Sequence, residues 1–112
     1  MKIMIPLADG QLTAHFGHCQ EFACLEVNKE QKEIVSDERL PAPPHKPGLL
    51  PTWLVENGAN LIIAGGMGQM ARDILTGQGI EVIVGAPEEA PSVIVEQWLA
   101  GKLDGGTNAC DH

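Results

Sequence analysis

Two short apolar segments, each followed by a stretch with helical spacing, constrain the fold of this chain most strongly. Residues 60–65 (NLIIAG) and 81–86 (EVIVGA) are apolar at both alternating sets of positions, which is typical of strands buried on both faces. A helix is predicted after each strand, the first over about Gln69–Leu75 and the second over about Pro91–Leu103. In the first helix the residues expected to face inward are Met70, Ala71, Ile74 and Leu75. The pattern predicts βαβ units with parallel strands and right-handed crossovers.

The N-terminal part of the chain predicts antiparallel strands instead. Ile3, Ile5 and Leu7 alternate with Lys2, Met4 and Pro6 in a short predicted strand, which is closed by the turn dipeptide Asp9-Gly10. Residues 21–28 and 32–40 are two further strands, separated by a short polar turn, and they predict a hairpin.

A proline-rich connector, 41–48, leads into a helix predicted over 49–59 and ended by Asn57-Gly58. The order β-β-β-α-β-α-β-α predicts an α/β fold with a five-stranded mixed sheet flanked by helices. The 112 residues suit one domain, over 1–103, followed by a flexible glycine-rich tail over 104–112.

The overall charge argues against a nucleic-acid partner. The chain has 15 acidic and 7 basic residues, a net charge of −8, and no basic stripe, so a polyanion would be repelled. No segment approaches the roughly 20 apolar residues of a membrane span, and the N-terminus lacks the features of a secretory signal. These observations predict a cytoplasmic protein. Its three cysteines, an odd number, then argue against a disulfide framework.

The segment HFGHC, residues 15–19, is the first candidate site. His15, His18 and Cys19 offer imidazole and thiolate donors, which suit zinc, copper, iron and iron–sulfur clusters. The alternative is a structural loop in which Phe16 anchors the core, Gly17 allows a turn and the histidines are solvated.

The glycine loop GGMG, residues 65–68, is the second candidate. Backbone N–H groups at a helix N-terminus, unobstructed by side chains, bind anions. The spacing matches neither a dinucleotide fingerprint nor a P-loop, and the alternative is a tight turn that needs glycine. Met67 and Met70 can act as core filler, and this role is favoured for Met70. Arg72 could contribute positive charge for an anionic ligand, or it could simply be solvated.

The C-terminal tail is the third candidate, because Cys110 and His112 offer two more ligands. The residues after Asp104 can extend about 30 Å, enough to reach the HFGHC segment. The alternative is a frayed end. Cys24 is assigned to the sheet as a small buried hydrophobic residue.

In this combination of motifs the chain resembles the dinitrogenase iron–molybdenum cofactor biosynthesis family. That family includes small carriers of nitrogenase cofactor assembly and the orange protein, which holds a molybdenum–copper sulfide cluster. HFGHCQEF and AGGMGQMA carry the resemblance, which extends over about residues 1–103. It implies a ribonuclease H-like fold and the binding of an iron–sulfur or molybdenum-containing sulfide cluster without catalysis. The family motifs fall on His15, Phe16, Gly17, Gly65, Gly66, Met67 and Gly68.

The leading hypothesis is therefore a cluster carrier or scaffold that exchanges its cargo with donor and acceptor proteins. The candidate metal ligands are His15, His18, Cys19, Cys110 and His112. Two alternatives stay open, a mononuclear zinc or copper site and a phosphate- or nucleotide-binding regulatory module built on the GGMG loop. Nuclease activity is not expected, because the strands beside the candidate site carry no carboxylates. The sequence leaves a homodimer open.

Overall fold

The computed structural model describes residues 1–13, 19–43 and 49–103 as a mixed sheet with helices on both faces. The elements in chain order are β1 (Lys2–Ala8), β2 (Gln11–Leu12), β3 (Glu21–Asn28), β4 (Glu33–Pro41), α1 (Leu49–Glu56), β5 (Leu61–Ile63), α2 (Gln69–Gly77), β6 (Glu81–Ile83) and α3 (Pro91–Leu99). None of the described helices is both long enough and apolar enough to cross a bilayer.

The sheet has the strand order β4-β3-β1-β5-β6, and β2 pairs with β1. The predicted hairpin is confirmed, since β3 and β4 pair antiparallel with a bulge between Glu26 and Val27. β1 is antiparallel to β3 but parallel to β5, with Ile3 opposite Leu61 and Met4 opposite Ile62. β5 and β6 are parallel, as the two βαβ segments predict.

Each face of the sheet carries its own apolar cluster, because successive side chains of a strand point to opposite faces. One cluster packs against α3 and includes Ile3, Ile5, Leu7, Ala23, Leu25, Val27, Leu61, Ile63, Ile94 and Val95. The other packs against α1 and α2 and includes Met4, Cys19, Phe22, Cys24, Leu50, Leu54, Ile62 and Leu75. The core is therefore split by the sheet into two layers.

Glycine ends α1 where the sequence predicts. Gly58 has a φ of 77°, in the left-handed region that favours glycine. Its N–H donates to the carbonyl of Val55, and the N–H of Ala59 donates to the carbonyl of Leu54. These two bonds form a Schellman motif and satisfy carbonyls that the helix end leaves unpaired.

The strand count is a correction, because the described sheet has six strands and not five. The additional element is β2, which is only two residues long and forms a hairpin with β1 through Asp9-Gly10. Both turn residues have positive φ, 55° and 82°, as a two-residue type I′ turn requires. The Asp-Gly dipeptide indicated a turn, but two residues are too few for a strand pattern.

Several predicted elements are longer than the observed ones. The strands predicted over 60–65 and 81–86 are observed as Leu61–Ile63 and Glu81–Ile83, and the second ends before Gly85, whose φ is 81°. Helix α3 ends at Leu99, before the predicted 103, whereas α1 ends at Glu56, directly before the predicted stop at Asn57-Gly58. α2 extends two residues beyond the predicted Leu75.

Two burial predictions are wrong. Met70 was expected to face inward, but its side chain is 71% exposed, because α2 packs through Ala71 and Leu75 one turn apart. β6 was expected to be buried on both faces, but Glu81 is exposed and its neighbours are half-buried, since β6 is an edge strand.

We expect Gly10→Ala to lower the free energy of unfolding by about 1–2 kcal/mol, because an L-residue is strained at the φ of 82°. Gly77→Ala is the matched control. It lies at the end of α2, its new methyl group meets no atom within 4 Å, and helix propensity should raise stability by up to about 1 kcal/mol. Urea denaturation measures both changes, and equal effects of the two substitutions would contradict the turn assignment.

Candidate functional site

The carboxyl ends of β1 and β5 lie side by side because the two strands are parallel. In α/β sheets this edge is where ligands bind. Hydrogen bonds hold both flanks of the HFGHC segment at the same edge. The N–H of Thr13 donates to the carbonyl of Pro6 at 3.0 Å, and the N–H of Gln20 donates to the carbonyl of Leu7 at 2.8 Å.

The GGMG loop leaves the same edge from β5 and leads into α2. Gly68 is the N-cap of α2, with φ −66° and ψ 154°, and no side chain caps the helix. The first turn also contains no acidic residue. No acceptor among the described residues receives a hydrogen bond from the amides of residues 65–68. These amides and the N-terminus of α2 are donors without an acceptor in the described part of the chain, and such a group favours an anionic ligand.

The side chains around the loop are few and have mixed character. Met67 packs against the apolar cluster that contains Cys19, whereas Met70 extends into solvent. Arg72 is half-buried in the first turns of α2, and its N–H donates to the carbonyl of Gly68 as the first helical bond. Arg72 therefore supplies the nearest positive charge along the chain, while backbone amides supply most of the donors.

Cys19 is placed beside the site but is buried, with only 2% of its surface exposed. Burial raises the pKa of its thiol from 9.0 to about 11, and a backbone hydrogen bond offsets part of this effect. The thiol is therefore protonated near neutral pH, and metal binding would have to displace this proton. Cys24 is also buried, which agrees with its assignment to the sheet, and desolvation raises the pKa of its thiol too.

The other predicted ligands lie outside the described ranges. This holds for His15, Phe16, Gly17 and His18 in the HFGHC segment, and for Cys110 and His112 in the tail. Within residues 1–13, 19–43 and 49–103, no three His, Cys, Asp or Glu side chains come together as a metal site. Of the predicted site residues, the structure therefore brings Cys19 and the GGMG loop to one edge of the sheet.

Pro6 and Thr13 are two residues at this edge that belong to none of the chemical motifs in the sequence. Their side chains offer no metal ligand of the expected type, and a backbone hydrogen bond between them holds the start of the HFGHC segment at this edge. One signal was present in the sequence, since proline cannot donate to a ladder and is unusual inside a strand.

Comparisons with known proteins identify one family and several solved structures of similar fold. A family model described as dinitrogenase iron-molybdenum cofactor matches residues 1–101. An uncharacterised protein of Methanocaldococcus jannaschii is 30% identical over 108 residues, which cover 93% of this chain and 90% of that protein. The crystal structure of PH0822 superposes over all of both chains with a TM-score of 0.87 and 23% identity. The apo form of the orange protein from Desulfovibrio gigas gives a TM-score of 0.73 and 21% identity, covering 95% of this chain and 92% of that one. At these identities the two solved structures show similarity of fold.

We expect the Cys19 thiol to react slowly with iodoacetamide in the folded protein. A pKa of about 11 in place of 9.0 lowers the thiolate fraction at pH 8 about 100-fold, and burial slows access further. Peptide-resolved mass spectrometry over time measures the rate, and the same protein in urea provides the reference. Equal rates in the folded and unfolded protein would show that the thiol is accessible and ionised.

Proposed function

The chain belongs to the dinitrogenase iron-molybdenum cofactor family, and from this premise we propose that it is a non-enzymatic carrier or scaffold for a molybdenum- or iron-containing sulfide cluster. Its partners are then the proteins that donate the cluster and accept it. The cluster is cargo and not a resident cofactor. We extend the proposal to the fold, which we assign to the ribonuclease H-like class that the family resemblance implies.

The open amides of the GGMG loop are the observation that carries this proposal. Sulfide and thiomolybdate groups are anionic, and amide hydrogens at a helix N-terminus stabilise such charge. The net charge of −8 repels an anionic cluster at long range, so recognition depends on these short-range donors. A site that binds through backbone amides also leaves metal coordination open for exchange with a partner.

The side-chain ligands in this proposal come from separate parts of the sequence. His15 and His18 follow β1, whose end is fastened beside the loop, and Cys110 and His112 come from the tail. Cys19 can contribute only if its thiol loses its proton and becomes accessible. We therefore assign the first contact to the histidines and amides, with thiolate coordination as a later step.

We expect the substitution Gly68→Asp to change the stability of α2 and the affinity of its N-terminus for an anion in opposite directions. An aspartate at this N-cap can accept hydrogen bonds from the first-turn amides, so we expect an unfolding free energy higher by about 0.5 kcal/mol. The same carboxylate occupies the donors and repels anions. Binding of tetrathiomolybdate, a simple molybdenum–sulfide anion, should weaken at least about tenfold.

Gly68→Asn is the matched control, because asparagine caps the helix without a charge. We expect it to weaken tetrathiomolybdate binding less than Gly68→Asp does. Visible absorption titrations measure both affinities, and urea denaturation checks that both variants are folded. Unchanged affinity in Gly68→Asp would remove the glycine loop from the binding site.

The side-chain ligands are tested on protein purified without oxygen, by measuring its metal and acid-labile sulfide content together with a visible spectrum. We expect molybdenum or iron together with sulfide, and loss of the charge-transfer bands in the double variant His15→Ala/His18→Ala. His45→Ala is the control, because this histidine lies in the proline-rich connector. Cys19→Ser combined with Cys110→Ser tests the thiolates, with Cys24→Ser as their buried control.

Two other outcomes of these measurements would contradict the proposed carrier role and indicate a different function. Zinc or copper at about one atom per chain without sulfide would indicate a mononuclear site. Binding of inorganic phosphate that survives loss of all histidines and cysteines, with no bound metal, would indicate an anion-binding regulatory module.

A further inference from the structure

Gln20 directly follows the HFGHC segment, and three hydrogen bonds join it to other parts of the carboxyl edge. Its N–H donates to the carbonyl of Leu7 near the end of β1 at 2.8 Å, and its carbonyl accepts the N–H of Ala42, the first residue after β4, at 3.2 Å. The oxygen Oε1 of its side chain accepts the N–H of Asp9 at 3.2 Å. Three separate parts of the chain therefore meet at this one residue.

The side-chain bond reaches the tip of the hairpin between β1 and β2. Asp9 is the first of the two turn residues, with a φ of 55°, and its N–H lies outside the ladder, whose last pair is Ala8 with Gln11. A residue without an acceptor in its side chain at position 20 would leave this N–H to the solvent. The two backbone bonds form with almost any residue at position 20, so the link to the hairpin is the part that depends on glutamine.

The hairpin is itself held in place. The N–H of Leu12 in β2 donates to the carbonyl of Glu89 in the loop before α3 at 3.0 Å. The start of the HFGHC segment is anchored directly after β2, by the bond from Thr13 to Pro6. Both ends of the segment are therefore tied to the β1–β2 hairpin, one by a backbone bond and the other by a side chain.

Cys19 directly precedes this junction, and its accessibility depends on the packing there. Its side chain is buried in the apolar cluster that also contains Phe22, and Ala42 packs against the same cluster. Ala42 is thus part of both the junction and the packing around the thiol. Loosening of the junction would disturb the side chains that cover Cys19.

We infer that Gln20 is a positioning residue, whose side chain ties the end of the HFGHC segment to the β1–β2 turn and so holds Cys19 and its neighbours in place at the binding edge. The role in binding rests on the proposed function, because the ligand of this edge is part of that proposal. The attachment to the hairpin is a property of the fold alone and can be measured without a ligand.

Three variants of the full chain test this role. Gln20→Met removes the acceptor and keeps the length of the side chain, whereas Gln20→Glu keeps an oxygen that can accept the N–H of Asp9. Gln11→Met is the matched control, because Gln11 is exposed in the same hairpin and its side chain has no hydrogen bond to the described residues. Urea denaturation checks that all three variants are folded.

In Gln20→Met we expect two rates to rise about three- to tenfold over the wild type, the exchange of the Asp9 amide with solvent and the reaction of the Cys19 thiol with iodoacetamide. In Gln20→Glu and Gln11→Met both rates should stay within about twofold of the wild type. NMR measures the amide exchange, and peptide-resolved mass spectrometry measures the alkylation. Visible absorption titrations should show that affinity for tetrathiomolybdate falls about three- to tenfold in Gln20→Met and stays within about twofold in Gln11→Met.

Unchanged exchange and alkylation rates in Gln20→Met would overturn the inference, and so would an equal rise of these rates in Gln20→Glu or Gln11→Met. A wild type that binds tetrathiomolybdate, together with a Gln20→Met variant that binds it equally well, overturns the role of Gln20 in binding alone. A wild type that does not bind tetrathiomolybdate overturns the proposed function. The exchange and alkylation rates then still decide whether Gln20 holds the end of the HFGHC segment.

Discussion

The parallel pairing of β1 with β5 is the interaction on which the rest of this structure depends. It consists of two pairs, Ile3 with Leu61 and Met4 with Ile62, yet it joins the antiparallel N-terminal strands to the βαβ half. All four side chains are fully buried, and the pairing places residues from opposite halves of the chain in both apolar layers. Because the strands run in the same direction, their carboxyl ends also meet, and the two candidate motifs begin from neighbouring points.

Periodicity and turn chemistry predict the larger part of this architecture from sequence. The β3–β4 hairpin, the parallel order of β5 and β6, the glycine stop of α1 and the burial of Cys24 all follow from local patterns. The errors in predicted burial have one cause. Whether an apolar residue is covered depends on its tertiary neighbours, and a local sequence pattern does not contain them. Met70 satisfies the helical spacing but lies beyond the reach of the sheet, and β6 is mostly apolar although none of the described strands covers its outer edge.

The candidate site shows the same division between chemistry and placement. Residue types point to soft-metal chemistry at HFGHC, and the fold holds the flanks of that segment at the same edge of the sheet as the glycine loop. Sequence patterns cannot reveal that Cys19 lies in an apolar layer, where its thiol is more basic than in water. Backbone amides avoid this desolvation cost, because an N–H group carries no proton that must be removed before it binds an anion. In the proposed carrier role, an acidic protein would therefore gain more from amides than from buried thiols when it binds an anionic cargo.

Pro6 lies inside a strand that has neighbouring strands on both sides, whereas proline is usually confined to edge strands and strand ends. Such exceptions to regular structure concentrate at functional sites. A lost ladder bond costs on the order of 1 kcal/mol, which is a noticeable part of the stability of a small domain. The cost is limited here, because Thr13 satisfies the carbonyl of Pro6 and only the carboxyl-terminal end of the ladder is affected. At the opposite end of β1, Asn60 pairs with Lys2 through both its backbone and its side chain, so the strands are held together away from the site. The parallel pairing of β1 with β5 is thus fastened at its amino-terminal end, and beyond Met4 the strand paired with β1 on this side is β2.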